Sequence, residues 1–325
     1  MVPSIFPRCS TAGEWLAKAG AHLAARGVPE AQANAELILS HVLARPRLEL
    51  RAHASRPMSA REGLRYWSLV LERSKRIPLA YVLGFQEFMG LRFKVRPCVL
   101  IPRPETEQLV EAVIEALAGS PGARSPSGPS SRPGPIPGPH ILEIGAGSGC
   151  VSVALAVKLP SAVVYATDIS KSALDLAEEN ARAHGVSSRV RFLREDLFKP
   201  AKAGSPSGWA DVLVSNPPYI PSGEITGLEE EVRKEPYLAL DGGRDGLEAI
   251  SAIVADSPRL LKPGGLLALE LGAGQAHAVR EILERPGPVL SPAAAAGSSA
   301  LFTDVRIHKD LQGVERIVTA RLRAA

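Results

Sequence analysis

Apolar positions recur at helical spacing through the first quarter of the chain and fall into short, strand-length runs beyond it. Trp15, Leu16, Ala19 and Leu23 share one face of a first predicted helix, which Gly27 can end. Pro29 opens a second, carrying Leu37, Ile38, His41 and Val42; a third starts at Ser59, carries Leu64, Trp67 and Leu71, and ends near Pro78. Thr11 with Glu14, and Ser59 with Glu62, have the spacing of capping boxes, in which a hydroxyl and a carboxylate satisfy the first free N–H groups of a helix. These apolar residues predict the core of a helical module and carry no chemistry.

Between residues 85 and 96 the pattern becomes alternating (Phe88, Leu91, Phe93, Val95) around Gly90, which predicts a β-hairpin. Ile101-Pro-Arg-Pro-Glu-Thr-Glu107 then leads into an amphipathic run from Leu109 to Leu117. Pro104 suits a first helical turn, and Glu105 and Glu107 suit its positive end.

From residue 140 strands and helices alternate. Strands are predicted at Ile141–Ile144, Val163–Thr167, Val190–Leu193, Val212–Ser215 and Leu266–Leu271, and helices over 150–158, 171–184 and 246–261. Such alternation means an α/β domain with a mainly parallel sheet and helices on both faces. Val305–His308 and Val314–Leu322, joined through Asp310 to Gly313, close the chain as an antiparallel pair.

Composition adds boundaries. Residues 119–139 are Gly, Pro or Ser at 17 of 21 positions, too little apolar surface to order a segment, so a flexible insertion is expected there and a second over 285–300. The organisation read from the chain is a helical substrate-recognition module over 1–84, a hairpin and linking helix over 85–118, the insertion over 119–139 and the α/β domain over 140–325. Hydrophobic residues make up 45% and no apolar stretch is long enough to span a bilayer, which argues against a membrane protein. Cys9, Cys98 and Cys150 form no CxxC pair and the seven histidines show no ligand spacing, so no metal is expected. Residues 45–76 hold nine basic residues against Glu49, Glu62 and Glu72, a surface that fits either an acidic partner or a solvated helical face.

The candidate chemistry lies after two strands. Ile141-Leu-Glu-Ile-Gly-Ala-Gly-Ser-Gly149 runs a buried strand into a glycine-rich turn, where Gly145, Gly147 and Gly149 let backbone approach a ligand. A dinucleotide fingerprint would require glycine where this chain has Cys150. Asp168, 19 residues after Gly149, ends the next strand where a carboxylate can accept from ribose hydroxyls, with a strand-end helix cap as the plainer reading. Asp196, after Glu195, stands near the expected adenine edge or is an ordinary surface carboxylate.

Val214-Ser-Asn-Pro-Pro-Tyr-Ile220 follows the fourth strand of the α/β domain. Two prolines forbid helix there and leave rigid carbonyl acceptors beside Asn216. A planar NH2 group fits: one hydrogen goes to the Asn216 side-chain oxygen, the other to the Pro217 carbonyl, and Tyr219 covers the plane. A rigid turn with a core tyrosine explains Pro217 and Pro218 but not Asn216.

This segment resembles that of methyltransferases acting on exocyclic or amide nitrogens. The resemblance lengthens with Tyr81-Val-Leu-Gly-Phe-Gln-Glu-Phe88, Leu100-Ile-Pro-Arg-Pro-Glu-Thr-Glu107, Glu235-Pro236, Leu240-Asp-Gly-Gly243, Asp245-Gly-Leu247 and Lys309-Asp-Leu-Gln-Gly313, in that order. Together, from about residue 11 to 322 outside the two insertions, the chain resembles the release factor glutamine methyltransferase family (PrmC/HemK). The resemblance implies N5-methylation, from S-adenosylmethionine, of the glutamine in the Gly-Gly-Gln loop of peptide chain release factors. It implies a helical front domain and a seven-stranded Rossmann-like class I methyltransferase domain, in the cytoplasm, or in mitochondria for a eukaryotic source. Gly145, Ala146, Gly147, Ser148 and Gly149 would face the methionine and ribose part of the cofactor, Asp168 the ribose, and Asn216 to Tyr219 the glutamine amide. Glu143 stands where many relatives carry Asp and would meet the cofactor's ammonium; Leu197 stands where some carry an aromatic beside the adenine. Arg103 and Glu105 would line the substrate pocket, although helix-start chemistry accounts for part of Glu105. The rival enzyme, an amino-methyltransferase for adenine or guanine of RNA or DNA, would want exposed aromatics among basic residues, whereas Trp15, Tyr66 and Trp67 sit at core spacing. Direct nucleic-acid binding is therefore not expected. A cofactor-binding scaffold without catalysis fits poorly with the intact Asn216 segment.

Overall fold

The structure, a computed structural model, describes residues 10–50, 52–118, 138–196, 208–285 and 300–324. Both low-complexity insertions lie almost wholly outside the described residues, as do Leu197 and Cys9. The chain forms two compact units: one runs to Phe85 and takes in Glu229–Lys234, the other comprises Gln86–Leu228 and Glu235–Ala325. The return of residues 229–234 to the first unit has no signature in the hydrophobic pattern.

The first unit holds α1 (Ala12–Ala25), α2 (Ala31–Leu43), α3 (Ala60–Arg73) and the short α4 (Leu79–Leu83). Both capping boxes form: Thr11 and Ser59 each accept from the amide of the glutamate three residues on, and each glutamate side chain accepts in return. Two expected faces are corrected. Leu37 and Leu64 stay exposed, because α2 turns Ala35, Ile38 and Leu39 inward and α3 turns Gly63, Tyr66, Trp67 and Val70 inward. Gly63 decides the second case: a Cβ there would lie 2.6 Å from the Trp15 ring, so the glycine row must face α1. Glu231 is the polar centre of this unit. It accepts from Arg73 Nη2 at 2.8 Å and from Arg76 Nε and Nη2 at 2.7 and 2.6 Å. Burial opposes its charge, but the hydrogen bonds from Arg76 and Arg73 outweigh it and hold the carboxyl at about 2.

The second unit opens with the predicted hairpin, β1 (Phe85–Phe88) and β2 (Leu91–Lys94), whose turn has positive φ at Met89 and Gly90, the signature of a type I′ turn. After α5 (Pro104–Ala118) come β3 (His140–Ile144), α6 (Cys150–Lys158), β4 (Val163–Asp168), α7 (Lys171–Ala183), β5 (Val190–Arg194), β6 (Ala210–Ser215), α8 (Glu248–Leu260), β7 (Leu261–Glu270), α9 (Ala276–Glu284), β8 (Phe302–Lys309) and β9 (Glu315–Leu322). These strands make one seven-stranded sheet in the order β5-β4-β3-β6-β7-β9-β8, parallel except that β9 runs antiparallel to both neighbours. The expected seven-stranded Rossmann-like α/β fold is thus present. Helix α9, which carries no expectation above, docks through Ala276, Val279 and Leu283. Strand order reverses between β3 and β6, so their carboxyl ends flank a crevice, the place where open α/β sheets bind ligands.

Candidate functional site

The glycine turn and the Asn216 segment leave the ends of β3 and β6, which are neighbours in the sheet. Gly145, Gly147 and Gly149 have φ of +79°, +53° and +77°, left-handed values that other residues adopt only with strain. A side chain at Gly147 would meet nothing within 4 Å, which leaves backbone bare on an open face. The turn is clamped from behind. Gly145 and Ala146 donate to the Thr167 carbonyl, and Asn180 of α7, fully buried, donates from Nδ2 to the carbonyls of Ser148 and Lys94. Asn180 is a helix residue whose role the sequence pattern did not disclose.

A cavity of about 340 Å³ opens here. Its wall includes Glu143, Gly145 to Ser148, Asp168, Arg103 and Asn216 to Pro218. Gly149 is the N-cap of α6 and, like Glu105, Asp196 and Tyr219, is not among the lining residues; Glu195 lines the wall in place of Asp196. Ile169, partly exposed beside Asp168, and Cys98–Pro102 also line the wall; Ile169 and Val99 carry no expectation from the sequence, whereas Leu100 to Pro102 belong to the motif that runs to Glu107. Asp168 accepts from the amides of Gly147 at 2.9 Å and Ser170 at 2.8 Å, which fixes its carboxylate at the crevice. Ser170 caps α7, so the cap reading belongs to Ser170 and leaves Asp168 facing the cavity.

Glu143 is 2% exposed, accepts from the Ser152 amide at 3.0 Å, and lines the same wall. Burial pushes its carboxyl up to about 8 against the hydrogen bond from Ser152, and the nearby charge of Asp168 adds to the rise. Among the described residues, the causes of this shift are burial, Ser152 and Asp168, and none is a cation. The site is therefore built with an uncompensated acid, which suits a ligand that brings positive charge.

Asn216 donates from Nδ2 to Thr106 Oγ1 at 3.0 Å, while its Oδ1 is buried without a hydrogen-bond partner among the described residues. Its loop is held by the Gly-rich segment that follows residue 240. Ile220 exchanges backbone hydrogen bonds with Leu240 and Gly242, and a Cβ at Gly246 would lie 2.3 Å from the Tyr219 carbonyl. Gln275 donates to that carbonyl at 2.9 Å. The Tyr219 ring packs toward the cluster of β7 and α8, and burial raises its phenol to about 12.

Arg103 donates to Glu235 Oε1 at 2.5 Å, and Glu235 also accepts from the Ile101 amide at 2.9 Å. Arg103 lines the cavity as the resemblance implies, and the buried Glu235 is the partner that fixes the wall from 101 to 103. Among the basic residues of 45–76, Arg45, Arg47, Arg56, Arg73, Lys75 and Arg76 form ion pairs. Trp15, Tyr66 and Trp67 are buried. No helix among the described residues is long and apolar enough to cross a membrane.

Comparison with known proteins gives consistent findings. Residues 14–84 match the PrmC N-terminal domain and residues 135–231 the methyltransferase small domain. The chain is 42% identical over 272 residues to a release factor glutamine methyltransferase of Moorella thermoacetica, covering 84% of this chain and 89% of that one. It is 41% identical to the same kind of protein from Chlorobaculum tepidum, covering 91% of this chain and 92% of the relative. Among solved structures, the hMettl16 catalytic domain in complex with a 3′UTR hairpin matches at a TM-score of 0.50 and 15% identity, over 83% of this chain and 87% of that one, a likeness of fold alone.

Proposed function

Because this chain belongs to the release factor glutamine methyltransferase family, we propose that its cavity holds the side-chain amide of a release-factor glutamine between Asn216 and the Pro217 carbonyl. The enzyme methylates glutamine in release factors from S-adenosylmethionine. The position modified is the N5 nitrogen of the Gly-Gly-Gln glutamine. The observation that carries this reading is the buried Asn216 Oδ1, which has no hydrogen-bond partner among the described residues. An unsatisfied acceptor inside a protein costs about 1–3 kcal/mol, so its retention points to a donor that arrives with the substrate.

The cofactor supplies a methyl group on a positively charged sulfur. Its fit rests on the bare turn at Gly147, the fixed Asp168 carboxylate and the buried Glu143. Gly145 to Ser148 would border its methionine and ribose part, Asp168 the ribose hydroxyls and Glu143 the ammonium.

An amide nitrogen is a weak nucleophile because its lone pair is delocalised into the carbonyl. Positioning and exclusion of water supply what a base would otherwise do, effects worth roughly 7–11 kcal/mol in favourable cases. As the nitrogen takes up positive charge its hydrogens become stronger donors, and two fixed oxygens stabilise that change more than the starting amide. Pro217 cannot reorient, and Thr106 fixes the Asn216 amide. The rival reading, amino-methylation of a nucleic-acid base, needs a stacking surface that the buried Trp15, Tyr66 and Trp67 do not offer.

Purified protein incubated with labelled S-adenosylmethionine and a release factor should add one methyl to the Gly-Gly-Gln glutamine, located by peptide mass. A factor with alanine at that glutamine should stay unlabelled; label on RNA or DNA instead would overturn the substrate assignment.

Cofactor binding should also depend on pH. With Glu143 raised to about 8, the free protein holds a proton there at neutral pH, and a cationic ligand must displace it. Affinity should rise by about tenfold per pH unit from 6 toward 7.5 and level off near 8, where an α-ammonium itself begins to lose its proton. In the cofactor-free protein the same shift makes stability fall as pH rises from about 4.5 toward 8, since the unfolded chain releases that proton first. Calorimetric titration at several pH values checks both claims, with Glu143→Gln expected to flatten the profile. A flat profile in the parent protein would remove Glu143 from the ammonium.

A further inference from the structure

Glu270 ends β7 and is 1% exposed, and no step derived above uses it. Its side-chain hydrogen-bonding neighbour is the Thr106 hydroxyl on α5, the group that accepts from Asn216 Nδ2 at 3.0 Å. Glu270 Oε2 is buried without a partner among the described residues, like Asn216 Oδ1. Buried Glu270 of β7, buried Thr106 of α5 and half-buried Asn216 after β6 thus stand in line, with a buried oxygen at each end that has no partner among the described residues.

The direction of the protons along this line determines what the cavity presents. A hydroxyl has one hydrogen to give. When Thr106 gives it to the Glu270 carboxylate, Thr106 can only accept from Asn216, so Asn216 must turn its NH2 toward Thr106 and its Oδ1 away from it. If residue 270 offered a hydrogen instead, Thr106 could accept that one and donate to Asn216 Oδ1. The amide would then flip and present NH2 to the substrate NH2, donor against donor. We infer that Glu270 is a positioning residue for methyl transfer, acting through the Thr106 hydroxyl to keep the Asn216 carbonyl oxygen facing the glutamine amide. The inference rests on the proposed role of Asn216.

Protonation of Glu270 reverses the line as a neutral substitute would. The charged and titratable groups around it are Glu105 on α5, Arg103 before that helix, Arg316 on β9, Tyr219 after β6 and Cys150 at the start of α6. Burial raises the Glu270 carboxyl to about 7; the Thr106 hydrogen bond opposes this, Glu105 adds to it, and Arg316 and Arg103 pull it down. Turnover at saturating cofactor and release factor should therefore rise with pH through about 7 and reach a plateau, although neither the amide nor Asn216 titrates there. Saturation separates this from Glu143, whose proton governs binding.

The test is kcat against pH from 5.5 to 9 for the parent enzyme, Glu270→Gln, Thr106→Val and Thr106→Ser, with cofactor affinity measured alongside. Glutamine keeps the size but brings hydrogens, so Glu270→Gln should lose about 10–100-fold in kcat, show no rise through pH 7 and keep its cofactor affinity. Thr106→Val should lose as much, and Thr106→Ser, which keeps the hydroxyl, should retain both rate and profile. If Glu270→Gln does not fold, the valine and serine variants decide the matter alone. A parent enzyme that methylates glutamine with a flat kcat profile, or a Glu270→Gln or Thr106→Val variant with parental kcat and profile, overturns the inference. Absence of glutamine methylation by the parent enzyme would instead overturn the substrate reading.

Discussion

Replacing Asn216 by alanine should lower kcat by about 10²–10³-fold, the usual cost of deleting one preorganised hydrogen-bonding partner of a transition state. Two features make the expectation specific. Asn216 Oδ1 has no hydrogen-bond partner among the described residues, so alanine breaks no bond seen on that side. On the other side it removes only the donation to Thr106, a local loss beside a sheet whose strands β3 and β6 stay paired. Folding and cofactor affinity should thus change little while turnover collapses. Initial rates at saturating cofactor and release factor check the claim; turnover within threefold of the parent would remove Asn216 from the reaction. Unchanged KM for the release factor would place the interaction in the transition state, whereas a rise in KM alone would mean that Asn216 serves ground-state binding.

The largest effect on stability is expected at Glu231, which takes no part in the proposed reaction. Glu231→Ala strands Arg73, whose side chain is 5% exposed, with its Nη2 unpaired, and also takes two hydrogen bonds from Arg76. Removing one partner of a buried ion pair costs about 3–5 kcal/mol, because the other charge stays buried without compensation. The first unit carries Trp15 and Trp67, so its denaturant transition can be followed by tryptophan fluorescence. The pH dependence has a definite sign. A carboxyl held at about 2 contributes stability that is fully present above its ordinary value of 4.5 and is lost as pH falls through about 2. Parent and variant should therefore converge in acid. A destabilisation below 1 kcal/mol at neutral pH would show that Arg73 is satisfied by Asn34 and the Ile77 carbonyl alone.

Much of the molecule was determined by sequence-local physics. Capping boxes at Thr11 and Ser59, the hairpin turn at Met89-Gly90 and the alternation of strands with helices from residue 140 each depend on a few adjacent residues, and each formed as expected. The same holds for the glycine turn and the Asn216 segment, since glycine permits the left-handed φ that the turn requires and proline fixes its own φ. Helix faces were less legible: Leu37 and Leu64 are as apolar as their buried neighbours, and for Leu64 it is the close approach of Gly63 to Trp15 that decided which stripe of α3 turned inward. What tertiary structure alone decided is polar and long-range. Arg103 with Glu235, Asn180 with Ser148, Glu231 with Arg73 and Glu270 with Thr106 join positions 32 to 164 residues apart. A buried polar side chain looks like a surface one in any hydrophobic pattern; its meaning comes from the partner that burial forces it to find. The chain by itself determined where the glycine turn and the Asn216 loop would be. Only the tertiary structure decided that the Asn216 amide meets the Thr106 hydroxyl, because that contact joins the loop after β6 to α5 across 110 residues of chain.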